Sequence, residues 1–524
     1  MLLDAHRLQL YAQDKLLVKI DTLRVDQHAR IGLVGRNGCG KTTLLEVLAG
    51  LREPDAGTVT LRTRCELIPQ LSSTPDSVMS GGEQTQAKIR EVLARQPELL
   101  LADEPTSNLD TSHIDWLEKQ LANWPGALIL ISHDRAFLDA LCTSIWEIRD
   151  AQLHIYSGNY SDYTRQRELL DRQHDEAYEL YIHEKQQLER AIQLKESKAE
   201  RATKRPKGHA VESGVTKPYF AKKQKKLQKT AKALETRLEK LETVEKRREL
   251  PPIKMNLLHE EMCTGRIIMR INQLSGRAGE RMLWHPVSCN VRGGDKLAII
   301  GPNGCGKTTL VKMLLQPDEQ HVSISPSVRI GYFSQSIDVL DTEMTILANV
   351  RATSAQDESL IRTVLARLHF FRDDVYKPVG VLSGGERVKV ALAKLFVSDV
   401  NTLILDEPTN FLDIDSIEAL ETLLRDYEGT VLFISHDRRL IGNLADRILA
   451  FEDRHIRLFE GSYAQYMDRL NTTVDERQAD VEEQRLLIET RISDVLSRLS
   501  IEPSEALEQE FQSLLAARRK LQHS

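Results

Sequence analysis

A chain of 524 residues is longer than one hydrophobic core organises, so two or more domains are expected. With 41% hydrophobic and 28% charged residues and a net charge of −6, the composition is that of an ordinary globular protein, and the averaged charge gives no sign of a nucleic-acid partner. No apolar run nears the ~18 residues of a bilayer span. The opening MLLDAHRLQL lacks the basic flank and apolar core of a secretory signal, and none of the six cysteines stands in CxxC spacing. These features predict a cytoplasmic protein without zinc or redox motifs.

In chain order, Ile31–Val34 reads as a buried strand that runs into Gly35-Arg-Asn37-Gly38-Cys-Gly40-Lys41-Thr42-Thr43, and Thr42–Ala49 as the helix that follows. Strand, GxxxxGKT and helix together describe a phosphate cradle. The glycines let backbone N–H groups crowd an anion, and the helix N-terminus adds partial positive charge. The lysine reaches the outer phosphates and the threonine helps to hold Mg²⁺. Leu99–Ala102 and Leu128–Ile131 are further short apolar strands, ending at Asp103 and near His133. Asp103 suits a Mg²⁺ ligand, Glu104 a group that polarises the attacking water, His133 a γ-phosphate contact, and Gln70, after a strand-like run, a bridge between metal and water.

The whole series then recurs. Gly301-Pro-Asn303-Gly304-Cys-Gly306-Lys307-Thr308-Thr309 repeats the cradle after the strand Leu297–Ile300, with Thr308–Leu315 as its helix. Asp406 and Glu407 repeat the carboxylates after Leu403–Leu405, His436 follows Val431–Ile434, and Gln335 repeats Gln70. Ser80-Gly81-Gly82-Glu83 recurs as Ser383-Gly384-Gly385-Glu386. Any one of these residues alone reads as a surface polar group; the ordered set, present twice, does not. The fold expected is α/β: two P-loop ATPase domains at 1–163 and 266–470, joined by a helical hairpin at 164–265 and followed by a short helical hairpin at 471–524.

Two intervals separate this chain from a membrane motor. Gln335 and Ser383 are 48 positions apart, enough for a helical subdomain, whereas Gln70 and Ser80 are only 10 apart. Ten residues make roughly 15 Å of helix, too little for a subdomain that grips a membrane permease.

The joining segment reads as two long helices, Tyr163 to about Arg201 and Phe220–Glu242, broken by Pro206, Gly208, Gly214 and Pro218 into a loop at about 206–219. Leu227, Ala231, Leu234, Leu238 and Leu241 step by four and three, a coiled-coil seam. From Lys195 to Lys232 there are 13 Lys/Arg against 3 Glu. That local excess, with aromatics near the tip, suits phosphate neutralisation and base stacking.

Tandem cassettes with a basic hairpin between them resemble the ABC-F proteins, and the Vga-type antibiotic-resistance branch in particular. The strings that carry the resemblance include IGLVGRNGCGKTTLL, LLLADEPTSNLD, SHDRAFLD, KPYFAKKQKKL, ELPPIKM, HFFRDDVYKP and LSGGERVKVALAK. The resemblance implies a monomer whose cassettes pair head to tail around ATP and Mg²⁺. Ser80–Glu83 then completes the second nucleotide site and Ser383–Glu386 the first, and Tyr11 stacks on adenine. It further implies an ATPase that protects the ribosome. The closed form binds the exit site of the large subunit, against 23S rRNA and P-site tRNA. A tip carrying Lys207, His209, Lys217, Tyr219 and Phe220 reaches toward the peptidyl-transferase centre and displaces lincosamides, pleuromutilins or group A streptogramins. A housekeeping translation factor of the same family is the alternative.

Overall fold

The computed structural model describes residues 1–70, 81–107, 109–203, 216–244, 265–318, 320–334, 339–354 and 356–470, with Thr472, Ile492, Val495, Phe511, Gln512, Leu514 and Leu515; at 81–83, 202–203, 216–221 and 223 the description is of backbone only. The chain forms two units, neither continuous in sequence. The first holds Met1–Gln70, Val92–Pro105 and Gln120–Pro252; the second holds Leu71–Glu91, Thr106–Lys119 and Ile253–Ser524.

The first unit is built on strands β1 (Leu3–Ala12), β2 (Lys15–Val25) and β3 (Arg30–Gly35), helix α1 (Lys41–Leu48), and strands β4 (Ala56–Leu61) and β5 (Cys65–Ile68). Helix α2 (Gly81–Ala94) and α3 (Thr111–Ala122) follow, on either side of β6 (Leu99–Asp103), and both lie for most of their length in the second unit. Then come β7 (Ala127–Ile131), α4 (Arg135–Leu141), β8 (Ser144–Arg149) and β9 (Gln152–Ser157). The nine strands make one sheet in the order β4-β1-β2-β9-β8-β3-β7-β6-β5. Its centre, β3, β6 and β7, is parallel. Every residue of β6 and β7 is buried, which is why these strands read as unbroken apolar runs rather than alternating ones. Leu44, Leu45 and Leu48 of α1 pack on Leu33, Leu99 and Ile129. That packing fixes the helix start, and with it the phosphate loop, over the carboxyl ends of the strands.

Helix α5 (Tyr160–Thr203) continues from this sheet for 44 residues, roughly 66 Å. It starts three residues before the expected Tyr163 because Asn159 and Asp162 cap each other: Asp162 N–H donates to Asn159 Oδ1 at 3.0 Å and Asn159 N–H to Asp162 Oδ2 at 3.3 Å. Its first turns are pinned by aromatic packing of Tyr163 on Tyr156 and Tyr160, and Arg167 donates to the Tyr163 hydroxyl. Helix α6 (Thr216–Glu239) packs against α5. Arg237 pairs with Glu184 at 2.9 Å. Glu184 lies 19 residues before Thr203 and Arg237 21 residues after Thr216, so the helices run antiparallel. Leu188, Ile192, Ala199 and Ala231 are buried along the hairpin, while Lys222, Lys225, Lys226, Lys229 and Lys232 are exposed.

The expected loop to residue 219 is corrected here: α6 begins at Thr216. Pro218 lies in the first helical turn, where the missing N–H costs no hydrogen bond and the fixed φ suits a helix. The remainder of the expected tip, and the small hairpin expected at 471–524, fall outside the described residues apart from the few named above.

The second unit contains β10 (Ile267–Ala278), β11 (Arg281–Arg292), β12 (Lys296–Ile300), α7 (Lys307–Leu315), β13 (Val322–Ile324) and β14 (Ile330–Phe333). It continues through α8 (Ile346–Arg351), α9 (Glu358–Arg367) and α10 (Gly384–Phe396) to β15 (Thr402–Asp406), α11 (Ile414–Asp426), β16 (Thr430–Ile434), α12 (Arg438–Leu444), β17 (Arg447–Glu452) and β18 (His455–Glu460). Six strands form a sheet in the order β14-β15-β16-β12-β17-β18, and β11-β10-β13 a smaller one. Helices α8 and α9 occupy the longer interval before Ser383, and their Val350, Ile361, Val364 and Leu365 join one core with Leu392 and Leu403.

Candidate nucleotide sites

Both phosphate loops adopt the same backbone. Gly38 and Gly304 have φ of +74° and +73°, with nothing among the described residues within 4 Å of an added Cβ. Glycine is required there by conformation, since other residues avoid that region, and the space above it is free for an anion. At Gly306 packing decides as well: an added Cβ would stand 2.5 Å from the buried Trp284 ring. The lysines are held alike. Lys41 Nζ donates to Gly35 O at 2.7 Å and Arg36 O at 3.1 Å; Lys307 Nζ donates to Gly301 O and Pro302 O at the same two distances. Thr42 and Thr43 open α1, and Thr308 and Thr309 open α7.

Asp103 and Asp406 end β6 and β15. Thr308 Oγ1 donates to Asp406 Oδ2 at 2.9 Å, and Thr42 bonds Asp103 in the same manner. Burial pushes both carboxyls above their ordinary range, against the pull of those threonines. A hydroxyl beside a poorly solvated carboxylate is a hard-oxygen donor set that fits Mg²⁺.

Glu104 and Glu407 sit in the left-handed region, with φ of +49° and +50°. Few residues other than glycine hold that conformation, and it is characteristic of sites where geometry is over-determined. Here the neighbouring strand determines it: Glu104 N–H donates to Ile131 O at 2.9 Å and Glu407 N–H to Ile434 O at 3.0 Å. His133 N–H donates to Glu104 Oε2 at 3.3 Å, with His133 Nε2 3.2 Å from Glu104 Oε1. In the second unit His436 Nε2 lies 3.4 Å from Glu407 Oε1 and 3.3 Å from Lys307 Nζ. Burial, then the Lys307 charge, lowers the His436 pKa to about 3, so this ring is neutral. Its contact with Glu407 is therefore not an ion pair. Burial raises Glu407 to about 7, despite Lys307, and among the described residues its Oε1 has no hydrogen-bond partner.

Ser383 caps α10. Its Oγ accepts from Glu386 N–H at 3.3 Å, and Glu386 Oε2 accepts from Ser383 N–H at 2.9 Å. This reciprocal capping box gives Ser-Gly-Gly-Glu a local folding role and leaves the helix start well formed at Gly384 and Gly385. Gly81, Gly82 and Glu83 likewise open α2. Tyr11 is half-buried at the end of β1, its N–H on Asp55 Oδ2 at 2.8 Å and its hydroxyl on Gln9 at 3.2 Å. Gln70 is exposed just past β5. Ser80, Gln335, Lys207 and His209 lie outside the described residues, and Lys217, Tyr219 and Phe220 are described only as helical backbone.

A family model described as ABC transporter matches residues 18–73 and 284–410. The ribosome protection protein VmlR of Bacillus subtilis is 30% identical over 98% of this chain and 96% of its own length. The erythromycin resistance ATP-binding protein MsrA of Staphylococcus epidermidis is 34% identical, covering 82% of this chain and 93% of its own. The chain belongs to the ABC-F family. It spans only 59% of another relative, the Bacillus protein YdiF, which is 34% identical over 76% of this chain. The solved RNase-L Inhibitor structure shares the fold, with a TM-score of 0.59 at 18% identity, covering 90% of this chain and 92% of that one. Among the described residues of this ABC-F chain, no helix is long and apolar enough to cross a membrane.

Two residues of this ABC-F chain that the sequence reading did not single out stand at the second site. Asp110, at the N-terminus of α3 and within the second unit, accepts from Asn303 N–H at 3.0 Å and from Ser112 and His113. Burial opposes its charge, but these donors hold its pKa down to about 2. Arg438, two positions after His436, pairs with Asp115 and Glu118 of α3. Asp110 had a signal: Asp413 recurs at the same distance after Glu407, where it caps α11 through Ser416. Nothing in the sequence couples Arg438 to α3.

Proposed function

We propose that this chain is an ATP-dependent ribosome protection protein of the Vga-type branch. In this reading it hydrolyses ATP to ADP and phosphate at both sites. Lys41 and Lys307 swing from their carbonyls to the outer phosphates. Glu104 and Glu407 polarise the attacking water, His133 and His436 contact the γ-phosphate, and Gln70 and Gln335 bridge metal and water. Tyr11 stacks on adenine. Thr42 with Asp103, and Thr308 with Asp406, would hold Mg²⁺, which would supply charge neutralisation on the phosphate oxygens. Ser80–Glu83 and Ser383–Glu386 each complete the other repeat's site, so ATP favours the closed form of a monomer and hydrolysis releases it.

The observation that carries the ribosomal part is the hairpin. A helix roughly 66 Å long is braced by a second helix whose exposed lysines follow one face. An RNA backbone is the partner such a charge stripe fits. The full-length likeness to a protein named for ribosome protection supports this over a housekeeping role. In this reading the hairpin enters the large subunit at the exit site, along 23S rRNA and P-site tRNA. The tip, including Lys207, His209, Lys217, Tyr219 and Phe220, then displaces lincosamides, pleuromutilins or group A streptogramins from the peptidyl-transferase centre.

The test is expression in a drug-sensitive bacterium, with a variant shortened across 207–216 beside the full chain. A raised inhibitory concentration for at least one class is expected, lost in the shortened variant while ATPase activity persists. No protection by the full chain against any of the three classes refutes the reading.

A further inference from the structure

Arg438 opens α12 directly after His436 and the capping Asp437. Its guanidinium is mostly buried and bridges two carboxylates one turn apart on α3, Asp115 and, at 3.3 Å, Glu118. The same helix begins at Asp110, whose carboxylate holds the Asn303 amide of the phosphate loop. Within the second unit, α3 is therefore fastened twice to the machinery around Lys307: once on the phosphate loop, and once beside His436. Both fastenings belong to a segment that follows Glu104 by only six residues.

An ion pair whose carboxylates are 46% and 29% exposed contributes little to stability. Its geometric effect is larger. Two charge-assisted bonds on a planar guanidinium fix the direction of the α12 start, and with it the backbone that presents His436.

We propose that Arg438 is a positioning residue for hydrolysis at the Lys307 site, setting His436 through its two-carboxylate grip on α3. Nucleotide then meets a correctly placed His436 only when α3 is seated. The inference rests on reading the Lys307 site as a hydrolytic one.

The test measures steady-state ATPase of the full chain, with thermal melting beside it. Arg438→Ala is expected to lower kcat about tenfold, with KM for ATP changed by less than about twofold, since misplacement of a reacting-site group acts on turnover rather than on binding. The melting temperature should stay close to that of the unaltered protein. Arg438→Lys should be intermediate, because an ammonium cannot grip both carboxylates in one plane. Arg438→Glu should be at least as impaired as alanine, and pairing it with Asp115→Arg and Glu118→Arg should recover a substantial part of kcat. Unchanged kcat in Arg438→Ala, or a charge-swapped protein no faster than Arg438→Glu alone, overturns the proposal. Failure of the underlying reading looks different: Glu407→Gln would then leave turnover intact.

Discussion

Replacing Glu407 by Gln should stabilise the nucleotide-free protein at alkaline pH. Glu407 is buried, its Oε1 lacks a hydrogen-bond partner among the described residues, and its folded pKa is about 7 against an ordinary 4.5. The folded state thus holds a proton that the unfolded chain releases. The resulting penalty is absent below the unfolded pKa, grows as pH rises through the window from 4.5 to 7, and is complete above it. At 1.36 kcal/mol per unit, linkage gives a penalty of about 1 kcal/mol at pH 5.5 and about 3 kcal/mol at pH 8. The backbone N–H of His436 donates to the Glu407 carboxylate; glutamine keeps an acceptor for it and carries no charge, so the variant escapes this penalty. For domains of this size 1 kcal/mol moves Tm by roughly 2–4 °C, which puts the variant about 6–12 °C higher at pH 8 and only a few degrees higher at pH 5.5. Thermal melts without nucleotide test this, with the buried Trp284 contributing a fluorescence signal from the same unit. A variant no more stable at pH 8, or an advantage that shrinks as pH rises, refutes the reasoning.

Changing Glu104 and Glu407 together to Gln should leave ATP binding intact and trap the protein on ribosomes; rapid release in a pelleting assay with ATP contradicts the roles given to both carboxylates. Gly304→Ala should abolish nucleotide binding at the second site while costing only about 1–2 kcal/mol of stability, the strain of a left-handed alanine. Equilibrium binding of a fluorescent ATP analogue, set against a thermal melt, separates the two effects.

The phosphate loops and the strands that carry them were readable because their signals are local. An apolar run of four or five residues, then glycines, then Lys-Thr, fixes strand, turn and helix within about fifteen positions. The start of α6 was not, since proline breaks a helix interior yet is tolerated in its first turn, and only the flanking packing chooses between these. The left-handed backbone of Glu104 and Glu407 was hidden as well, because a glutamate after a buried strand ordinarily stays in common regions of φ. Least readable was the second fastening of α3. Asp115 and Arg438 are 323 residues apart, and charge pairs at such separation leave no periodicity to find. Asp110 was visible as a repeated letter but not as a partner of Asn303.

The interleaving of the two units has a genetic corollary. Because 71–91 and 106–119 belong with the C-terminal unit, a gene severed between its two homologous halves is expected not to encode two autonomous proteins. Each fragment would lack residues that pack with the other, and co-expression is expected to be needed to restore a functional pair.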